Sequence, residues 1–350
     1  MARKAKDPKS VAPAGSAEVT HAQETPKSVA PLGGEMSQRD RGGSAEVPLT
    51  QDTPKFRSGY VALIGKPNVG KSTLTNHIVG QKVSIVSNKP QTTRRRVLGI
   101  AAGENYQIAF IDTPGIHEPH TKLGRAMVDQ ARSALDGVDV VVYVADGSHH
   151  PGDMDKEISK LLEPLRGQIP IILCLNKMDL LKAEFVQQFV DTYNDLFKTT
   201  DYMLTTATRG HNVDKLVDLI VSHLPEGEAM YPDDEVTDQS SRFLAAELVR
   251  EKILIATRQE IPHATAVMIE SWTEEENGVV RIEAEIFVER ASQRGILIGK
   301  QGAFLKKIGT EARQEIEEML GQKVFLQLHV KVHEDWRMNP RMLQELEYSE

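Results

Sequence analysis

At 350 residues the chain is longer than one small domain needs and suits two, each with enough length for its own core. Its 42 basic and 50 acidic residues leave a formal charge of −8, which excludes nucleic-acid binding by the chain as a whole and confines any such role to a local basic patch; no DNA partner is expected. The single cysteine, Cys174, excludes an intramolecular disulfide. With no apolar run of membrane-spanning length and no signal-peptide core, a soluble cytoplasmic protein is expected.

Residues 1–55 differ in composition from the rest of the chain. Pro-Lys-Ser-Val-Ala-Pro occurs at 8–13 and again at 26–31, Gly-Ser-Ala-Glu-Val at 15–19 and 43–47, and no aromatic residue precedes Phe56. Such a segment cannot bury enough apolar surface to offset its ordering entropy, so a disordered low-complexity tail is expected there.

From Tyr60 to Ile64 an apolar run reads as a buried strand, and Gly65 to Ser72 fits G-x-x-x-x-G-K-[ST] ahead of a helix-compatible stretch. Gly65, Lys66, Pro67, Asn68, Val69, Gly70, Lys71, Ser72 and Thr73 form the candidate phosphate-binding loop. Its glycines allow the backbone amides to face a polyphosphate, and the helix N-terminus adds its positive dipole end. Lys71 would reach the β- and γ-phosphates, and the Ser72 hydroxyl would ligate Mg²⁺.

Gln91-Thr92-Thr93-Arg94 lies in a polar loop before a strand-like run, Val97–Ala101. A loop threonine behind a phosphate site can complete a Mg²⁺ shell. Thr93 is favoured over Thr92, with the neighbouring register left open. Strand Tyr106–Ile111 runs into Asp112-Thr113-Pro114-Gly115, where Asp112 can hold the metal through a water and Gly115 can turn its N–H to the γ-phosphate. The expected catalytic set is Lys71, Thr93, Asp112 and Gly115, and the expected metal set is Ser72, Thr93 and Asp112.

Val138–Ala145 and Ile169–Leu175 are apolar enough to be parallel strands buried on both faces. The second leads to Asn176-Lys177-Met178-Asp179. A carboxylate at Asp179 accepts from both N1–H and N2–H of guanine, which adenine does not offer. Asn176 would hold the loop and the base edge, and the Lys177 stem would pack over the ring. Tyr202–Thr206 ends at Thr206-Ala207, where the Ala207 N–H could bond the guanine O6.

Residues 226–241, acidic and proline-bearing without period, read as an interdomain linker. Helix-like Arg242–Thr257 precedes two strands, Ala264–Trp272 and Val279–Val288, flanking an Asn277-Gly278 turn. A short helix (Ala291–Ile298), the turn Gly299-Lys300-Gln301-Gly302, an amphipathic helix and an alternating strand from Val324 to Val332 complete the pattern. Between Ala291 and Arg313 five basic residues (Arg294, Lys300, Lys306, Lys307, Arg313) face one acid, Glu311. That is a focused positive patch on a negative chain.

The order and spacing of Gly65–Thr73, Gln91–Arg94, Asp112–Gly115 and Asn176–Asp179 resemble the Era family of GTPases, within the translation-factor-like class. The second half resembles a type II KH module, whose G-x-x-G turn clamps a nucleic-acid backbone. The likeness covers residues 56–336. It implies an α/β P-loop GTPase domain, with a mostly parallel sheet between helices, at 56–225. A smaller α+β KH domain at 242–336 and a C-terminal tail at 337–350 complete the division. It further implies GTP/GDP and the 3′ end of small-subunit ribosomal RNA as ligands, assistance to 30S subunit assembly, Mg²⁺, and RNA contacts from Arg294, Gly299, Lys300, Gln301, Gly302, Lys306 and Lys307. Ile116 stands where small regulatory GTPases carry a water-orienting glutamine. Asn68 resembles an asparagine with which some relatives hold K⁺, so K⁺ is a second candidate cofactor. Peripheral attachment to the inner membrane is implied only by the resemblance, since no basic amphipathic helix compels it. The alternatives are an RNA-binding protein whose nucleotide pocket is only a ligand sensor, and an ATP-using P-loop enzyme. Intact Lys71, Ser72 and Asp112 oppose the first, and Asp179 opposes both.

Overall fold

The computed structural model describes residues 55–349. The tail read at 1–55 therefore lies outside the described residues, apart from Lys55. Six strands, β1 (Arg57–Ile64), β2 (Val97–Gly103), β3 (Tyr106–Asp112), β4 (Val140–Asp146), β5 (Ile171–Asn176) and β6 (Asp201–Leu204), make one sheet in the order β2-β3-β1-β4-β5-β6. Every pair is parallel except the β2/β3 hairpin. The two-residue period of the strands divides their side chains between two cores. Val61, Leu63, Val140, Val142 and Val144 pack beneath α1 (Lys71–Val79) and α5 (Val213–His223). Ala62, Ile64, Val141, Tyr143 and Ala145 meet α2 (Lys122–Ser133), α3 (Asp153–Leu162) and α4 (Val186–Phe197) on the other face. This double burial is why Tyr60–Ile64, Val140–Ala145 and Ile171–Leu175 are continuous apolar runs within β1, β4 and β5.

Because β2 returns to β3 by a hairpin, α1 covers one face of that end of the sheet and no crossover helix covers the other. Residues 226–241 do so instead. Met230 and Tyr231 pack against the cluster of Leu98, Ile100 and Ala109. Gln107, buried in the sheet, accepts from the Met230 and Tyr231 amides at 2.6 and 2.9 Å and donates to the Tyr231 carbonyl at 2.9 Å. The Ile100 amide donates to the Val236 carbonyl at 2.9 Å. The segment read as a linker is thus strapped down onto the first domain.

The second domain runs α6 (Ser241–Ala256), a single turn α7 (Ile261–Ala264), β7 (Ala266–Glu274), β8 (Val279–Val288), α8 (Ala291–Ile298), α9 (Ala303–Leu320) and β9 (Lys323–Val332). Its sheet has the order β7-β8-β9, antiparallel then parallel. Val280, Ile282, Ala284, Ile286 and Val288 all face inward against Val249, Ile308, Ala312 and Ile316. The strand expected from Ala264 begins at Ala266, since Ile261–Ala264 closes a helical turn first.

Residues 337–350 are not a loose tail as far as they are described. A tight turn at Trp336–Met338 leads into α10 (Pro340–Glu345). Trp336, Met342, Leu343, Leu346 and Tyr348 bury themselves with Leu123 and Met127 of α2 and with Ala266 and Phe287 of the second sheet. The end of the chain is therefore part of the seam between the two domains.

Candidate functional site: a nucleotide cleft joined to a basic turn

The left-handed Gly70 (φ 104°) leads directly into α1. A Cβ there would lie 2.2 Å from Asn176 Nδ2, so close passage of this backbone over Asn176 requires glycine. A Cβ on Gly115 would similarly lie 2.5 Å from the Pro67 amide nitrogen. The loop borders a cleft of about 510 Å³ that reaches from Pro67 and Thr93 to Asp179 and Ala207.

At the phosphate end Lys71 is buried, and its Nζ donates only to the Gly65 and Lys66 carbonyls at 3.1 and 3.0 Å. Burial pushes the amine down to about 8, against the pull of nearby Asp112. A desolvated ammonium held only by carbonyls fits an incoming polyanion. Asp112 is raised by burial, opposed first by Lys71 and then by Ser72 and Ser84. Its Oδ2 accepts from Ser84 Oγ at 2.8 Å, while its buried Oδ1 has no hydrogen-bond partner. Ser72 Oγ and Thr93 Oγ1 stand 2.9 Å apart. Thr92 turns away, its hydroxyl donating to the Lys89 carbonyl at 2.7 Å. Among the described residues no group of three or more His, Cys, Asp or Glu could hold a metal. One carboxylate with two hydroxyls instead suits an ion that keeps several of its waters, which is the habit of Mg²⁺.

Several candidate residues serve the cleft through its walls. Lys66 points away, its Nζ 2.7 Å from Asp155 Oδ2. The Thr113 hydroxyl donates into the core, to the Leu63 carbonyl at 2.7 Å. Val69 lies in the core with its carbonyl accepting from Asn176 Nδ2 at 2.8 Å, and Pro114, next to Thr113, is buried as well. Asn68, exposed and left-handed at φ 63°, donates from Nδ2 to the Asn88 carbonyl at 3.1 Å.

At the base end the candidate residues are tied to one another. Asn176 is buried, with Oδ1 accepting from the Ala207 amide at 2.9 Å and from Thr205 Oγ1 at 3.2 Å. Asn176 therefore ties three loops together at the wall of the cleft. The Ala207 N–H expected at guanine O6 is the donor of that 2.9 Å bond, and Ala207 lines the cleft with Asn176. Thr206 is buried and pairs through its backbone with His211. Asp179 lies at the cleft, with Arg209 3.6 Å away. Lys177 holds its stem across the cleft by an ion pair with Asp146, at 2.9 Å. Burial acts first to raise the Asp146 carboxyl, but hydrogen bonds from Lys177 and Ser148 outweigh it and hold it at about 2. Asp146, Ser84 and Thr205 were not legible as site residues. A carboxylate ending a strand beside the base loop was the one signal available, at Asp146.

In the second domain Gly299 (φ 71°), Gln301 (φ 53°) and Gly302 (φ 77°) shape the turn between α8 and α9. Arg294, Lys300, Gln301, Lys306 and Lys307 are all exposed around it. Beside them Leu305, Gly309, Leu326 and Leu328 line a shallow groove of about 360 Å³ that the motif alone does not reveal. A Cβ on Gly309 would lie 3.3 Å from Leu328, so the glycine keeps the groove floor close to β9.

Residues 60–177 match the family described as 50S ribosome-binding GTPase, and residues 260–337 match the KH domain. GTPase Era of Geobacter sp. (strain M21) is 48% identical over 295 residues, covering 84% of this chain and 98% of that protein. The chain belongs to the Era family of GTPases. GTPase Era of Heliobacterium modesticaldum is 46% identical, over 85% of this chain and 98% of its own. Two solved Era structures each superpose with a TM-score of 0.81 at 42% identity, over 84% of this chain and all of theirs. One is Era in complex with MgGDPNP and nucleotides 1506–1542 of 16S ribosomal RNA; the other is a single-substitution variant of Aquifex aeolicus Era bound to GDP·AlF4⁻. The likeness to these Era structures thus spans both the GTPase and the KH regions of the chain.

Proposed function

We propose that this Era-family chain is a GTP-hydrolysing switch that binds the 3′ region of small-subunit ribosomal RNA through its KH domain and assists 30S subunit assembly in the cytoplasm. One observation carries the reading. Thr93 faces Ser72 in the nucleotide cleft, while the residues on either side of it are held by the second domain. The Thr92 carbonyl accepts from Arg250, and Arg94 donates to the Thr265, Pro262 and His263 carbonyls at 2.7, 3.2 and 3.2 Å. A change at the γ-phosphate that moves Thr93 must also move contacts of the RNA-binding domain.

In this reading the amides of Gly65–Thr73 and the Lys71 ammonium hold the phosphates, and Asp179 selects guanine by accepting from its N1–H and N2–H. Ser72 and Thr93 would hold Mg²⁺, with Asp112 acting through water. The ion would supply positive charge where the leaving phosphates gain negative charge. Gly115 turns its amide to the γ-phosphate. A K⁺ ion beside Asn68 would add charge at the same place; hydrolysis rates equal in K⁺ and Na⁺ would remove that part. Peripheral contact with the inner membrane rests on the family resemblance alone.

The RNA reading is supported by the exposed basic turn and by the relative solved with a 16S RNA segment. Its test is the double substitution Lys300→Asp with Gln301→Asp. Binding of an oligonucleotide from the 3′ end of small-subunit RNA should be lost while GTP affinity survives. Loss of both, or of neither, would overturn the assignment.

A further inference from the structure

His117 bridges the two loops that face the γ-phosphate, and the roles above leave it unused. Its Nδ1 lies 2.8 Å from the Gly115 carbonyl, and its Nε2 lies 3.2 Å from Gln91 Nε2. A carbonyl can only accept and an amide –NH₂ can only donate. The ring that satisfies both is neutral, with its proton on Nδ1. Gln91 therefore donates to His117 through its –NH₂, which leaves Oε1 as its accepting atom, and the residue lines the cleft with Thr93 and Gly115.

Two further observations make Gln91 unusual. It stands at φ 60°, a left-handed conformation uncommon for a residue with a long side chain. Such strain persists where surroundings hold it, and it gathers at functional loops. Ile116, at the position that would otherwise offer a side chain to the reacting water, is buried in the core with its amide bonded to the Gly65 carbonyl at 3.2 Å. It has nothing with which to direct a water.

We propose that Gln91, held by His117, orients the attacking water in GTP hydrolysis. The inference rests on the GTPase reading above and names the residue that the reading lacks. The water oxygen forms a bond to the γ-phosphorus as the bond from that phosphorus to the bridging oxygen breaks. GDP leaves with the bridging oxygen, one water proton stays on the released phosphate and the other passes to solvent. Gln91 accepts a hydrogen bond from the water and takes no proton. His117 touches neither water nor substrate, so it is a positioning residue.

The test uses the full chain with Gln91→Asn, His117→Ala and the pair together. Asn populates left-handed backbone readily, so Gln91→Asn keeps the loop while falling one methylene short of His117. Each single variant should slow single-turnover GTP hydrolysis by about 10²-fold, the usual cost of a small misplacement of a reacting group. Affinities for a fluorescent GDP and for a non-hydrolysable GTP analogue should stay within about twofold of wild type, because only transition-state contacts are lost. The double variant should be no slower than the slower single one, since both changes remove one unit. Wild-type rates in either single variant, losses that multiply in the double variant, or a parallel fall in analogue affinity would each overturn the proposal. Failure of the unaltered protein to bind guanine nucleotide at all would instead overturn the GTPase reading beneath it.

Discussion

The guanidinium of Arg250, wholly buried in the second domain, donates to the carbonyl oxygen of Thr92, the residue immediately before the one that faces Ser72. Arg94, on the other side of Thr93, is as deeply buried. It caps the end of α7 with three hydrogen bonds to carbonyls and lies 5.6 Å from the ring centres of both Trp336 and Tyr348. Burial pulls its guanidinium down to about 10, yet the carbonyls and rings around it favour the charged form. Three consecutive residues thus alternate between the domains, second, cleft, second.

Arg94→Ala should then separate coupling from nucleotide binding. Three buried carbonyls lose their donor and the slot between the two rings empties, so unfolding free energy should fall by about 2–4 kcal/mol. Lysine should not restore it, because a point charge cannot fork among three acceptors. Hydrogen exchange should quicken at residues 261–265 and 336–348 while GDP affinity holds. Unchanged exchange there would show that Arg94 does not bind the domains together.

Asp179 borders the cleft at the end away from Lys71, beside Leu180 and Ala207. Asp179→Asn replaces an acceptor pair with one acceptor and one donor group. Guanine should lose the equivalent of two charge-assisted hydrogen bonds, about 3–5 kcal/mol or roughly 10²- to 5 × 10³-fold in affinity. Xanthine, with a carbonyl in place of the exocyclic amine, should gain. Competition between GDP and XDP for the variant measures this directly, and retained preference for GDP would show that another group reads the base.

What the sequence made legible and what it hid divide along a physical line. Local chemistry was readable: glycines that a tight turn demands, apolar strands, Asp179 after a strand, the Asn277-Gly278 hairpin. Contacts between distant segments were not. Lys66 sits within the phosphate motif, yet its side chain leaves for Asp155, whose carboxylate also takes the Tyr143 hydroxyl and caps α3 through the Gly152 amide at 2.7 Å. Nothing in the loop announces that partner. Ala207 matched by position, but which acceptor its amide meets depends on the rotamer of Asn176. The acidic stretch at 226–241 carried a linker composition, and only the open end of a hairpin-built sheet explains why Met230 and Tyr231 lie flat upon it.

His263 gives the seam a pH dependence. Its ring is half-buried, and burial first, then Arg94, Arg337 and Lys89, hold its pKa below the ordinary 6.5. The unfolded chain therefore takes up the proton at higher pH than the folded one. Stability contributed by the neutral ring is fully present above pH 6.5 and declines as pH falls below it, towards the folded-state pKa. His263→Gln, which cannot ionise, should flatten the fall in urea-unfolding free energy between pH 7.5 and 5.5 that the unaltered protein shows. Identical pH slopes in the two proteins would assign the dependence to other groups.

The end of the chain offers a sharper test, because its composition reads as a tail while its packing is that of a core. Leu343 is 2% exposed among Trp336, Leu346, Leu123 and Met127, whereas Met338, five residues earlier, is 46% exposed. Leu343→Ala should cost about 2–4 kcal/mol, the range for emptying a buried leucine site. Met338→Ala should stay within about 0.5 kcal/mol of wild type, as surface substitutions do. Since Leu123 and Met127 belong to α2, which comes after the Asp112–Gly115 loop, the loss should also appear as faster exchange along that helix. Equal, negligible effects of the two substitutions would mean that residues 337–349 do not hold α2 against the second sheet. The route from the nucleotide to the RNA-binding turn would then run through the remaining contacts, those of Thr92, Arg94 and Val86 among them.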